Sequence, residues 1–81
     1  MIVKELHCNE IIEDYKVKDP ETYHKNHSEF LRGLKEASVE VDGNIAVRPI
    51  RVKSVRAKKL KWNEEIEMWE FHSKIKVNVL D

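Results

Sequence analysis

Glu21, His24 and His27 follow one another at intervals of three, the spacing that lines ligands along one side of a helix. Carboxylate and imidazole are zinc donors, and His7 or Cys8 would complete the set. His24 and His27 are therefore the metal candidates. No second motif supplies a fourth ligand at fixed spacing, however, and His27 falls within an apolar helical stripe, where a packed or hydrogen-bonded ring is the ordinary outcome. The expectation is a chain with no metal and no other cofactor.

Catalytic chemistry has little to stand on. Cys8 is the one cysteine and His7 is its neighbour, but adjacency in sequence does not build a dyad. Gly33 and Gly43 are the only glycines, too few for a phosphate-cradling loop. No acid sits in an apolar run of the kind that raises a carboxyl pKa. The chain is expected not to be an enzyme.

Binding chemistry is better represented. Arg48, Arg51, Lys53, Arg56, Lys58, Lys59 and Lys61 form a run of seven cations with no acid among them. Apolar residues recur beneath them in fives: Ile45 and Val47, Ile50 and Val52, Val55 and Ala57, Leu60 and Trp62. Trp62 and Trp69 flank Glu64, Glu65 and Glu67, and Glu70 follows directly. Spaced cations beside an aromatic suit a phosphate backbone and a stacked base. Aromatics, Met68 and arginines close together also suit a protein interface.

The 81 residues make one small domain with a thin core, for which self-association is a plausible source of further burial. Lys and Arg number 15, as do Asp and Glu, so no global field draws the chain to nucleic acid. The charge is segregated instead: net −4 over residues 1–47, +7 over 48–63, −4 over 64–70 and +1 over 71–81. One cysteine excludes an internal disulfide and fits a reducing compartment. No apolar run reaches the roughly 20 residues that span a bilayer. The first residues are too charged for a signal peptide. A soluble, cytoplasmic protein is expected.

Elements must position these groups. Residues 1–18 read as a strand, a short helix capped by Asn9, or a flexible arm. Asp19-Pro20 is an N-cap followed by a proline suited to the first turn. Tyr23, His27, Phe30, Leu31, Leu34 and Ala37 then share a helical face, so a helix is expected over about 20–37. Val39 to Val47 reads as a hairpin around Asp42-Gly43-Asn44, pairing Val41 with Ile45 and Val39 with Val47. The five-residue beat needs resets at Arg48-Pro49, Lys53-Ser54 and Lys58-Lys59; all its apolar residues then face inward and all seven cations outward. A three-residue loop after Trp62 would pair Trp62 with Ile66, Leu60 with Met68, Lys61 with Glu67 and Lys58 with Glu70. In that register Trp62 and Trp69 have opposite parity. Trp69, Phe71, Ile75, Val77 and Val79 alternate with polar residues in a last strand, bent at Ser73.

The architecture expected is α+β: an N-terminal helix packed on a strongly bent antiparallel sheet or small barrel of four to five strands. The order of elements resembles a cystatin-like curled sheet gripping a helix, and small barrels of the SH3 or OB type with an added helix. The resemblance covers element order alone.

Two functions follow as expectations. The first is a non-catalytic protein-binding module, a regulatory or inhibitor-type protein of bacterial or viral origin, homodimeric and acting by occupying a partner's surface. The second is a single-stranded nucleic-acid or RNA binder using residues 48–61. In either case Arg48, Arg51, Lys53, Arg56, Lys58, Lys59, Lys61, Trp62 and Trp69 are the binding candidates.

Overall fold

A computed structural model describes residues 2–80; Met1 and Asp81 lie outside the described residues. A five-stranded antiparallel sheet curls as a half-barrel around one helix. The strands are β1 (Ile2–Glu13), β2 (Glu36–Val41), β3 (Asn44–Ala57), β4 (Lys61–Asn63) and β5 (Met68–Val79). The helix α1 (Pro20–Arg32) lies between β1 and β2, preceded by a single 3-10 turn at Asp14–Lys16. Spatial order is β1-β5-β3-β2, with β4 beside β5. The helix is therefore mid-chain, not N-terminal. The sheet is open, and Lys4 of β1 reaches Glu40 of β2 at 3.6 Å, linking its two edge strands.

The N-terminal segment is a strand through Glu13. Leu6, Cys8 and Ile12 share its concave face with Lys4 and Glu10, and each residue from Ile2 to Glu13 pairs with β5. Of the alternatives for this segment the structure has the strand, and the short helix capped by Asn9 does not form. Adjacent Ile11 and Ile12 have opposite fates, Ile12 buried and Ile11 exposed.

Asp19 caps α1 as its sequence predicts. Its carboxylate accepts from the backbone N–H of Glu21 and Thr22 and from the Thr22 hydroxyl at 2.8 Å. The helix ends at Arg32, earlier than expected. Gly33, which costs about 1 kcal/mol inside a helix, serves as its C-cap instead. Ala37 belongs to β2. The inward stripe is His24, His27, Ser28 and Leu31, at helical spacing, with Ser28 and Leu31 buried and the two histidines half-buried, while Phe30 is exposed. Ser28 satisfies its hydroxyl on the His24 carbonyl at 2.7 Å, which lets a polar residue face the sheet.

The first hairpin turns on two residues, not three. Asp42 (φ 53) and Gly43 (φ 83) both take the left-handed region, the signature of a type I′ turn. Gly43 N–H donates to the Glu40 carboxylate. Val41 consequently pairs with Asn44 and Val39 with Ala46. One residue of register turns a whole strand over. Ile45 and Val47 therefore lie on the convex face, 76% and 64% exposed, and Arg48 is turned toward the concave side, opposite Ala37.

The five-residue beat is kept at two of its three resets. A bulge between Val52 and Ser54 restores Val55 and Ala57 to the face of Ile50 and Val52. The chain leaves the ladder after Ala57 and returns as β4. At Arg48-Pro49 no reset occurs; β3 runs straight through and exchanges β2 for β5 as its partner.

The second hairpin is also shifted. Trp62 pairs with Trp69, Lys61 with Glu70 and Asn63 with Met68, around a four-residue loop, Glu64–Glu67. Asn63 fixes that loop by accepting from the Glu65 N–H at 3.0 Å, and Glu67 takes φ 52. Ile66 is left exposed at the turn. The two indoles thus share one face and pack edge-on, centroids 5.3 Å apart. Strand β5 alternates as expected, but it is central, with β1 along one side and β3 and β4 along the other. Phe71, Val77 and Val79 are fully buried at the centre of the core, with Val39, Ile50, Ile75, Ile12, Val17 and Leu31 around them. No helix among the described residues is long and apolar enough to cross a membrane.

Candidate functional site

With α1 on the concave side, no second layer covers the convex side of the sheet among the described residues. Its residues follow from parity. Along β5 the outward set is Met68, Glu70, His72, Lys74, Lys76 and Asn78, and the antiparallel register puts β1 and β3 residues beside each. Lys74 is flanked by His7 and Arg56, Lys76 by Glu5 and Ser54, and Asn78 by Val3 and Arg51. Three strands thereby gather Arg51, Arg56, Lys74 and Lys76, with Lys53 at the bulge and Lys58 where β3 ends, held by a backbone bond from its N–H to the His72 carbonyl at 2.9 Å.

Acids also stand on this face, Glu5 opposite Lys76 and Glu70 opposite Ile11 and Lys61, and Glu5 lies 3.2 Å from His7. Ion pairs among the described residues include Lys4–Glu40, His7–Glu5, His27–Glu10 and His72–Glu70, and none of these uses Arg51, Lys53, Arg56, Lys58, Lys74 or Lys76. Of the acids after Trp62, Glu70 is on this face, opposite Lys61, and the other three are in the loop. Glu64, Glu65 and Glu67 lie exposed in the loop. Glu70 accepts from the Asn63 amide at 3.1 Å, and that bond, with lesser help from His72 and Lys61, holds its carboxyl below the usual range. A shallow hollow of about 500 Å³ opens on this face, lined by His7, Asn9, Arg56, Lys58, His72 and Lys74. Asn9 Oδ1 lies 2.9 Å from His72 Nδ1 and braces its floor.

The sequence candidates separate into groups. Arg51, Lys53, Arg56 and Lys58 belong to the convex face. Lys59 is exposed in the link to β4, and Lys61 stands opposite Glu70. Arg48 is on the other side of β3. Trp62 and Trp69 are inward, half-buried against each other, and the Trp69 indole N–H donates to Asp14 at 3.1 Å. Neither indole is on the cationic face, so base stacking there has no tryptophan to use. Lys74, Lys76, His7 and His72 were missed. The alternation of β5 already turned both lysines outward; their neighbours depended on long-range pairing that no local pattern encodes.

The histidines of α1 also part company. His24 Nε2 meets the Ala57 carbonyl at 3.2 Å. His27 Nε2 lies 3.1 Å from Glu10 Oε2, and the Cys8 thiol reaches the other oxygen of Glu10 at 3.9 Å. Cys8, Glu10 and His27 are the described residues whose donor atoms could hold a metal ion. Burial, then the charge of Glu10, pushes the Cys8 thiol pKa up.

Comparisons with protein-family models, with curated proteins and with solved structures returned no match for this chain.

Proposed function

We propose that this chain is a non-catalytic protein-binding module that holds an acidic partner surface against the convex face of its sheet. The carrying observation is the pairing of Arg56 with Lys74 inside a set of cations that make no ion pair among the described residues. Like charges set directly opposite are destabilising, and a partner's carboxylates relieve that repulsion. The surroundings favour protein over nucleic acid. Exposed Ile45 and Val47 continue the convex face toward β2, and Val3 and Ile11 continue it along β1, so apolar contact is available beside the charge. A regulatory or inhibitor role, and homodimerisation through the exposed Glu64–Glu67 loop of a second copy, belong to the same proposal.

The test is affinity capture from lysate with the native chain and with the double variant Arg56→Glu, Lys74→Glu, together with light scattering. Specific protein capture lost in the variant supports the proposal; capture that the variant leaves unchanged contradicts it. Single-stranded nucleic-acid binding is the second reading, favoured by the same cations. Its mark is oligonucleotide affinity that falls steeply with salt in the native chain.

A further inference from the structure

The concave side holds a second cluster that the binding face does not use. Cys8 and Glu10 are two apart on β1 and so point the same way, and α1 brings His27 onto them. Sγ, a carboxylate oxygen and an imidazole nitrogen all lie within 4.8 Å of one another. Tetrahedral zinc binds sulfur at about 2.3 Å and nitrogen or oxygen at about 2.0–2.2 Å, which sets two donors on one ion roughly 3.4–3.6 Å apart. His27 Nε2 lies 3.1 Å from one Glu10 oxygen and Cys8 Sγ 3.9 Å from the other, so the carboxylate stands between the two remaining donors. Closing the Cys8–His27 edge from at most 4.8 Å asks for a shift of no more than about 1.4 Å.

A second observation is independent of the spacing. His27 Nε2 is buried and makes no hydrogen bond, because it is close to Glu10 but poorly aligned with it. Buried polar atoms are seldom left so, and a metal ion is a partner for that lone pair. The ring is already held in place: Phe71 lies 4.4 Å from its centroid and Tyr23 stands edge-on at 6.0 Å. Thiolate, imidazole and carboxylate together are a donor set for zinc rather than for magnesium or calcium.

We infer that Cys8, Glu10 and His27 form a zinc site that fastens α1 to the edge strand β1, with water as the fourth ligand. The other histidines do not complete it, since His24 is bonded to Ala57 and His7 is on the opposite face of β1. A metal staple suits a domain whose core is as thin as this one.

Chelator-treated, desalted protein is titrated with zinc chloride by calorimetry and with cobalt chloride by absorption. The expected result is one ion per chain, a higher thermal midpoint, and the near-ultraviolet thiolate-to-cobalt band with strong tetrahedral visible absorption. Cys8→Ser abolishes the band, and Cys8→Ser and His27→Gln each weaken zinc at least about 10-fold. His7→Gln leaves zinc affinity unchanged. Absence of the thiolate band in native protein overturns the inference whatever the variants do. So does zinc uptake that Cys8→Ser leaves intact and His7→Gln removes.

Discussion

Arg56 stands directly opposite Lys74 across the β3–β5 ladder, and no described carboxylate pairs with either. A sheet selected for stability alone would place an acid at one of the two positions. Replacing Arg56 by Glu creates the opposite-charge pair and is expected to raise stability by about 0.2–1 kcal/mol. The same change lowers partner capture. Urea unfolding and affinity capture measured on one preparation check both; a variant that is less stable, or that binds normally, contradicts the prediction.

The hairpin register makes a separate prediction about the convex face. Ile45→Thr alters an exposed side chain and is expected to change stability by no more than about 0.5 kcal/mol. Gly43→Val forces a branched residue into φ 83 and is expected to cost roughly 1–2 kcal/mol or more. Denaturant midpoints decide it. A large loss at Ile45 with none at Gly43 would restore the three-residue turn.

Phe71 is 0% exposed and touches His24 and His27 of α1. Phe71→Ala is expected to cost about 3–5 kcal/mol, enough to unfold a small domain. Thermal unfolding by circular dichroism reads this directly. Phe30→Ala, on the exposed side of the same helix, is expected to cost far less.

Acid should destabilise the fold in a defined direction. The Thr22 hydroxyl, with backbone N–H groups, lowers the Asp19 pKa; the Gly43 N–H and then Lys4 lower that of Glu40; Asn63 lowers that of Glu70. Each folded-state value lies below the unfolded one, so each contribution is complete above the ordinary carboxylate range. It is lost as pH falls through the depressed folded values. Stability measured from pH 7 to 2 is expected to fall across the acid limb, with a shallower fall in Asp19→Asn. An acid limb as steep in that variant would remove Asp19 from the explanation.

Particular residues show how far the sequence is readable. The start of α1 is local chemistry, Asp19 then Pro20, and the structure places the cap there. The alternation of β5 and the bulge at Lys53 are likewise local. The registers were not readable, because Asp42-Gly43 and Asp42-Gly43-Asn44 are both good turns. Apolar Ile45 and Val47 argued for the longer one, while the Glu40–Gly43 bond accompanies the shorter. β1 was ambiguous because Ile11 and Ile12 fit a helix as well as a strand. A third of the cationic face, Lys74 and Lys76, depended on knowing that β5 is central. Glu10 entered the metal cluster only because β1 is extended, which aligns it with Cys8.

The most direct measurement places a photo-crosslinking residue at Ser54, among the convex-face cations, or at exposed Asn26 on the outer side of α1. Both are exposed to lysate at low and moderate salt. Crosslinks to one or a few acidic proteins from position 54, weakened by Arg56→Glu with Lys74→Glu and absent from position 26, are the predicted result. Crosslinking concentrated at position 26, or at 54 but indifferent to the two charge reversals, would contradict the assignment of the convex face as the binding surface.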